Sequence, residues 1–144
     1  METAALYELR KNQTDFQKKK ITSSILSNEF IRQFYLDDLE IYESFFLLLL
    51  NNQNQTIGYA KISQGGITGT VVDVRIVAKY VVDSLATGII LAHNHPSGTL
   101  SPSEADKKIT EKIKQAMYFF DVKVLDHIIL TADSYFSFAD NGIL

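Results

Sequence analysis

A chain of 144 residues has the size of one domain and can bury one substantial core, and its 46% hydrophobic and 22% charged residues are those of a soluble globular protein, not a disordered or fibrous one. The absence of cysteine removes disulfides, thiolate nucleophiles and cysteine-based zinc sites together, so any metal must be held by histidine and carboxylate. A net charge of −3 supplies no broad positive field for phosphate backbones, and the longest unbroken apolar run, Phe45 to Leu50, is far too short to span a bilayer.

Residues 1–20 read as a polar lead-in to a single domain over residues 21–144. The start, METAALYELRKNQ, has no apolar signal-peptide core, so the expected compartment is the cytoplasm and no membrane partner is expected. Arg10, Lys11, Lys18, Lys19 and Lys20 form the one local footprint suited to nucleic acid; a solvated tail is the plainer reading of that cluster. In SNEFIRQFYLDDLEIYES, Phe30, Phe34 and Leu39 fall at helical spacing, which predicts a helix with Ser27 as its N-cap.

YESFFLLLLN then reads as a strand, NNQNQ as a turn and TIGYAKIS as a second strand, which together make a hairpin. QGGITGT carries Gly65, Gly66 and Gly69 but fits neither a Walker nor a dinucleotide spacing, so it is expected to be a flexible or tightly turning connection. A helix is predicted from Asp73, its N-cap, to Leu85, with Val74, Val77, Ala78, Val81 and Leu85 on one stripe. GIILA follows as a strand buried on both faces. In SPSEAD, Ser101 and Glu104 have capping-box spacing with Pro102 at the first helical position, and the predicted helix ends near YFFD. VKVLDHIIL and YFSFA, separated by a turn at TADS, complete a central mixed sheet flanked by helices, an α/β or α+β layered domain.

The chemistry gathers in LAHNHPSGTLSPSEAD. His93 and His95, at i and i+2 by a strand end, can point to the same side. Asp106 lies in the first turns of the following helix, with Ser103 three residues earlier on the same face. Two neutral imidazoles, one carboxylate and an open position for water form a common catalytic zinc set; the same donors also match the facial triad of non-haem iron enzymes. His127, beside Asp126 and between apolar residues, reads as a satisfied structural histidine and not as a fourth ligand. A zinc nucleoside deaminase is set aside, since it needs H-x-E with P-C-x-x-C.

The pattern H-x-H-x7-S-x2-D resembles the metal motif of JAMM/MPN-type metallopeptidases. AHNHPSG, PSEAD, LDHIIL and YFSFADNGIL, in that order, resemble the RadC-like JAB domain of bacteria, a likeness that runs from about residue 38 to the C-terminus. The resemblance implies a three-layer α/β/α, cytidine-deaminase-like JAB/MPN fold and a zinc-dependent peptidase or isopeptidase acting on a peptide or protein substrate. It implies His93, His95 and Asp106 as zinc ligands, Ser103 as an oxyanion-stabilising residue, and Glu43, at the head of the long apolar strand, as general base. Glu40 and Glu104 are the rivals for that last role, Glu104 being assigned to the capping box. Asn94, where many JAMM peptidases have Ser or Thr, points to the RadC-like branch, while Ile76 stands where many RadC-like sequences have Glu after Arg75; an ion pair near the site is the most that Arg75 suggests. A DNA-associated repair accessory protein and a metal-stabilised domain without catalysis are the competing readings.

Overall fold

The computed structural model describes residues 1–8, 10–66 and 71–144. Its elements are α1 (Ser24–Arg32), β1 (Ser44–Leu50), β2 (Thr56–Gln64), α2 (Val74–Ser84), β3 (Gly88–Asn94), α3 (Glu104–Tyr118), β4 (Lys123–Leu130) and β5 (Tyr135–Ser137). The strands form one five-stranded sheet in the order β2-β1-β3-β4-β5. β3 and β4 run parallel and the other neighbours antiparallel, so the sheet is mixed. The parallel pair requires a crossover, which α3 supplies.

Every residue of β1 and of β3 is buried, as expected of strands at the centre of a sheet covered on both faces. The alternation of side chains sorts them between two cores. Phe46, Leu48, Leu50, Ile90, Ala92, Ile128 and Leu130 pack with Phe30, Ile31 and Phe34 from α1 and the turn after it. Phe45, Leu47, Leu49, Ile89 and Leu91 pack with Val77 and Val81 of α2 and Ile113 and Met117 of α3. One helix, the sheet and two helices make the three-layer α/β/α arrangement. Each fully buried Leu, Ile or Phe contributes about 1.5–3 kcal/mol, and β1 and β3 contribute Leu47, Leu48, Leu50, Ile89, Ile90 and Leu91 to this set. No helix among the described residues is long and apolar enough to cross a membrane.

The β3–β4 register breaks between Ile89 and Ile90: Ile89 pairs with Val124, but Ile90 pairs with Asp126, leaving Leu125 as one extra residue in β4. Beyond this bulge Leu91 pairs with His127 and His93 with Ile129.

Two expected helix starts are corrected. α1 is capped by Ser23, not Ser27, its hydroxyl accepting from the Leu26 N–H at 3.3 Å, and the helix ends before Phe34 and Leu39. The apolar spacing continued past the helix because Phe34 stays in the core through a tight turn, its N–H donating to the Ile31 carbonyl. α3 is capped by Ser103, not Ser101, with Asp106 and not Glu104 closing the capping box. Two boxes overlap in SPSEAD, shifted by two residues, and the inner one is formed; Glu104 is exposed and pairs with Lys107. The Asp73 cap of α2 is as expected. The lead-in meets the body at its end, where Phe16 packs against Phe30, Phe34 and Tyr59 and Lys20 bridges to Gln55. Of the glycine-rich connection, Gly65 and Gly66 flank the backbone of Glu43, while Gly69 lies outside the described residues.

Candidate metal centre

β3 carries the chain into the site. His93 is its next-to-last residue and is buried on the α2/α3 side, packed parallel to the Phe45 ring on β1 at 6.0 Å. His95 lies just past the strand, tied back by its N–H to the Leu130 carbonyl at 2.9 Å. Gly98, with φ of +87°, then turns the chain, a conformation that a residue with a Cβ rarely adopts. This returns Thr99 to the histidines, where its carbonyl accepts from His95 Nδ1 at 2.6 Å.

The capping box of α3 fixes the acidic partner. The Ser103 hydroxyl accepts from the Asp106 N–H at 3.0 Å, and the Asp106 Oδ2 accepts from the Ser103 N–H at 2.8 Å. The same carboxylate lies 3.2 Å from His93 Nε2 through one oxygen and 3.2 Å from His95 Nε2 through the other. The two Nε2 atoms are 2.9 Å apart, and Glu43 Oε1 is 3.9 Å from His93 Nε2. One ligand atom each from Glu43, His93, His95 and Asp106 thus lies within 4.8 Å of the others.

Glu43 reaches this point because its backbone is held on three sides. Its N–H donates to the Gly66 carbonyl and its own carbonyl accepts from the Gly65 N–H, extending the hairpin past β1. The next residue, Ser44, gives its N–H to Asn94 Oδ1 at 2.8 Å, while its carbonyl accepts from the Tyr35 hydroxyl at 2.9 Å. Asn94 Nδ2 completes the clamp by donating to the carbonyls of Leu39 and Tyr42. Asn94 is buried on the face opposite the histidines, as its place between them on a strand requires.

The electrostatics fit a cation-binding set. Burial alone would raise the Asp106 carboxyl, but contact with the two imidazoles and the Ser103 N–H outweighs it and holds the group well below the usual carboxylate range. Burial would lower His95, yet the Asp106 carboxylate and the Thr99 carbonyl raise it. Burial raises Glu43, although the two imidazoles oppose the shift. Two carboxylates and two Nε2 atoms this close need a positive charge among them, which is either a proton or a metal ion; the donor chemistry, nitrogen and oxygen without sulfur, fits a divalent transition metal.

A cavity of about 280 Å³ opens onto these groups, walled by Phe45, Val71, Val72, Ala105 and Ile109 beside Glu43, His93 and Asp106. A wider groove on the outer side of α3, lined by Tyr118 and Phe119 among others, contains no such group of ligands.

All five residues singled out from the sequence lie at this place, with Ser103 as the cap behind Asp106. Glu104 pairs with Lys107, and Arg75 is exposed and pairs with Asp73 at the start of α2. His127 is outside the four-residue cluster, fully buried behind His93. Asn94 and Thr110 were missed as contributors. Both had a signal: Asn94 alternates with the histidines, and Thr110 is four residues after Asp106 on one helix face.

A family model described as RadC-like JAB domain matches residues 21–143. A UPF0758 protein of Flavobacterium johnsoniae is 54% identical over 126 residues, covering 87% of this chain and 54% of its own length. A UPF0758 protein of Porphyromonas gingivalis is 41% identical over 129 residues, covering 89% and 56% respectively. The UPF0758 protein YfjY of Escherichia coli K12 is 44% identical over 102 residues, covering 71% and 64%. This chain therefore spans a little over half of the first two relatives. With its fold, its motif order and the match over nearly its whole length in agreement, the chain belongs to the RadC-like JAB domain family.

Proposed function

We propose that this chain is a zinc-dependent hydrolase that cleaves a peptide or isopeptide amide bond. The observation that carries this reading is the convergence of Glu43, His93, His95 and Asp106 on one point beside a cavity with apolar walls.

His93, His95 and Asp106 would hold the ion, being the three groups in mutual contact at 2.9–3.2 Å. Zinc held by these residues would supply a water with its pKa lowered toward about 7 and an electrophile for the substrate carbonyl. Glu43 stands farther off, 3.9 Å from His93 Nε2, where a water can lie between its carboxylate and the ligand set. Its upward shift by burial is the direction that suits a general base working near neutral pH. Glu43 takes the proton of the attacking water and hands it to the leaving amine. The hydroxyl hydrogen of Ser103 is not used in the cap, where the oxygen only accepts, and it serves to donate to the oxyanion that forms on the substrate.

The test is metal analysis together with cleavage of peptide and isopeptide-linked probes. The purified chain is expected to carry one zinc, His93→Ala with Asp106→Ala to lose it, and Glu43→Gln to keep it while hydrolysis falls by about 100-fold or more. A chain free of metal, or a Glu43→Gln variant as fast as wild type, overturns the reading.

A further inference from the structure

His127 is not used by the chemistry above, yet it is fully buried and bonded at both ring nitrogens. Its Nε2 lies 2.7 Å from His93 Nδ1, and its Nδ1 lies 2.6 Å from the Thr110 hydroxyl. The Thr110 hydroxyl also lies 2.7 Å from the Asp106 carbonyl. His93, Thr110 and His127 are 1%, 3% and 0% exposed, so water cannot take the place of any of these partners.

The direction of each bond follows from the one group whose role is fixed. A carbonyl oxygen only accepts, so the single hydroxyl hydrogen of Thr110 goes to Asp106. His127 Nδ1 must then donate to the Thr110 oxygen, which leaves His127 Nε2 as an acceptor in the neutral ring. His93 Nδ1 donates to it. With its hydrogen on Nδ1, His93 presents the Nε2 lone pair toward His95 and Asp106. His95 reaches the same tautomer by a different route, through the Thr99 carbonyl.

We infer that Thr110 and His127 are positioning residues that lock His93 in the metal-ligating tautomer and tie it to the Asp106 backbone through a chain of hydrogen bonds. The relay runs from the Asp106 backbone on α3 through Thr110 to β4 and back to β3, so two ligands on different elements are set by one network. Stacking fixes the His127 plane: its ring lies against Phe138 at 4.6 Å and 15°, with the Phe45 ring at its edge at 5.5 Å and 70°. The inference rests on the reading that His93 and Asp106 hold a metal ion, since a tautomer lock matters only for a ligand.

The test is zinc affinity of the full chain, measured by competition with a chromogenic chelator, for wild type, Thr110→Val, Thr110→Ser and His127→Phe. Thr110→Val and His127→Phe are expected to bind zinc about 10- to 100-fold more weakly, as loss of an outer hydrogen-bond partner typically does. Thr110→Ser, which keeps the hydroxyl, is expected to stay within about 3-fold of wild type. Metal-free melting curves separate loss of fold from loss of affinity, and the Val/Ser pair carries the test if His127→Phe does not fold. Two-bond nitrogen–proton spectra of the zinc-loaded wild type are expected to show His93 with hydrogen on Nδ1 and metal on Nε2. A wild type that binds zinc, with Thr110→Val binding equally well or His93 ligating through Nδ1, overturns the relay alone. A wild type that takes up no zinc overturns the metal reading and the relay together.

Discussion

Asn94 Nδ2 lies 2.7 Å from the carbonyl oxygen of Tyr42, so the residue between the two histidines holds the backbone that leads into Glu43. The same side chain binds the Leu39 carbonyl and the Ser44 N–H, and Asn94 and Ser44 are both buried. Asn94→Ala strands one buried donor and two carbonyls and is expected to destabilise the fold by about 2–5 kcal/mol in chemical denaturation. The Ser44 amide is expected to exchange with solvent faster, while His93, His95 and Asp106 keep their own contacts. Unchanged stability would show that the clamp contributes nothing.

Zinc should stabilise the folded chain through linkage. At free zinc 100-fold above its Kd the gain is about 2.7 kcal/mol, seen as a higher Tm that chelator reverses. Asp106→Asn, which removes the charge that faces both imidazoles, is expected to abolish the zinc-dependent part of the shift. A rise in Tm that survives in this variant would place the binding elsewhere.

His127 gives the metal-free protein a particular acid sensitivity. Burial holds its ring well below the ordinary histidine value of 6.5, with the neighbouring His93 acting in the same direction. Below that value the unfolded chain takes up a proton that the folded ring refuses, so stability falls as pH falls, by up to about 1.4 kcal/mol per unit for this one group. Denaturation of wild type at pH 6.5 and 5.5 is expected to show the loss, and His127→Gln to lack most of it. Equal slopes for the two proteins would mean that the ring is protonated in the folded state.

Ser103 has a stability role separable from chemistry. Ser103→Ala removes the N-cap of α3 and is expected to cost about 1 kcal/mol, whereas Ser103→Asp, which keeps an acceptor at the cap, is expected to recover most of it. Thermal melts of the metal-free variants check this. If Ser103→Ala melts with wild type, the cap is not supporting the helix that carries Asp106.

Much of this architecture can be read from the residues alone, and the exceptions have physical causes. β1 and β3 announce themselves as uninterrupted apolar runs, because a strand covered on both faces has no polar side. His93, His95 and Asp106 are legible because a strand end and a helix start fix where side chains point. The cap of α3 was misread because Ser101–Glu104 and Ser103–Asp106 have the same local pattern, and only the histidines facing Asp106 decide between them. α1 was placed too far along because Phe34 packs in the core from a turn, so the apolar spacing outran the helix. Glu43 is legible only through resemblance, since what brings it to the site is a clamp on the neighbouring Ser44 from Asn94, fifty positions farther along and invisible to local spacing.

The extra residue at Leu125 sets which face each later residue of β4 takes. Counted without it, Ala92 would lie opposite His127, and the imidazole would face the α1 core while Asp126 turned toward His93. The bulge therefore decides which of two adjacent titratable side chains stands behind His93 and which is sent to the other layer. Deleting Leu125 would leave Asp126 opposite Ile90 and His127 opposite Leu91 in an unbroken ladder, whereas keeping Leu125 but pairing it with Ile90 would set a carboxylate, not an imidazole, on the side of His93.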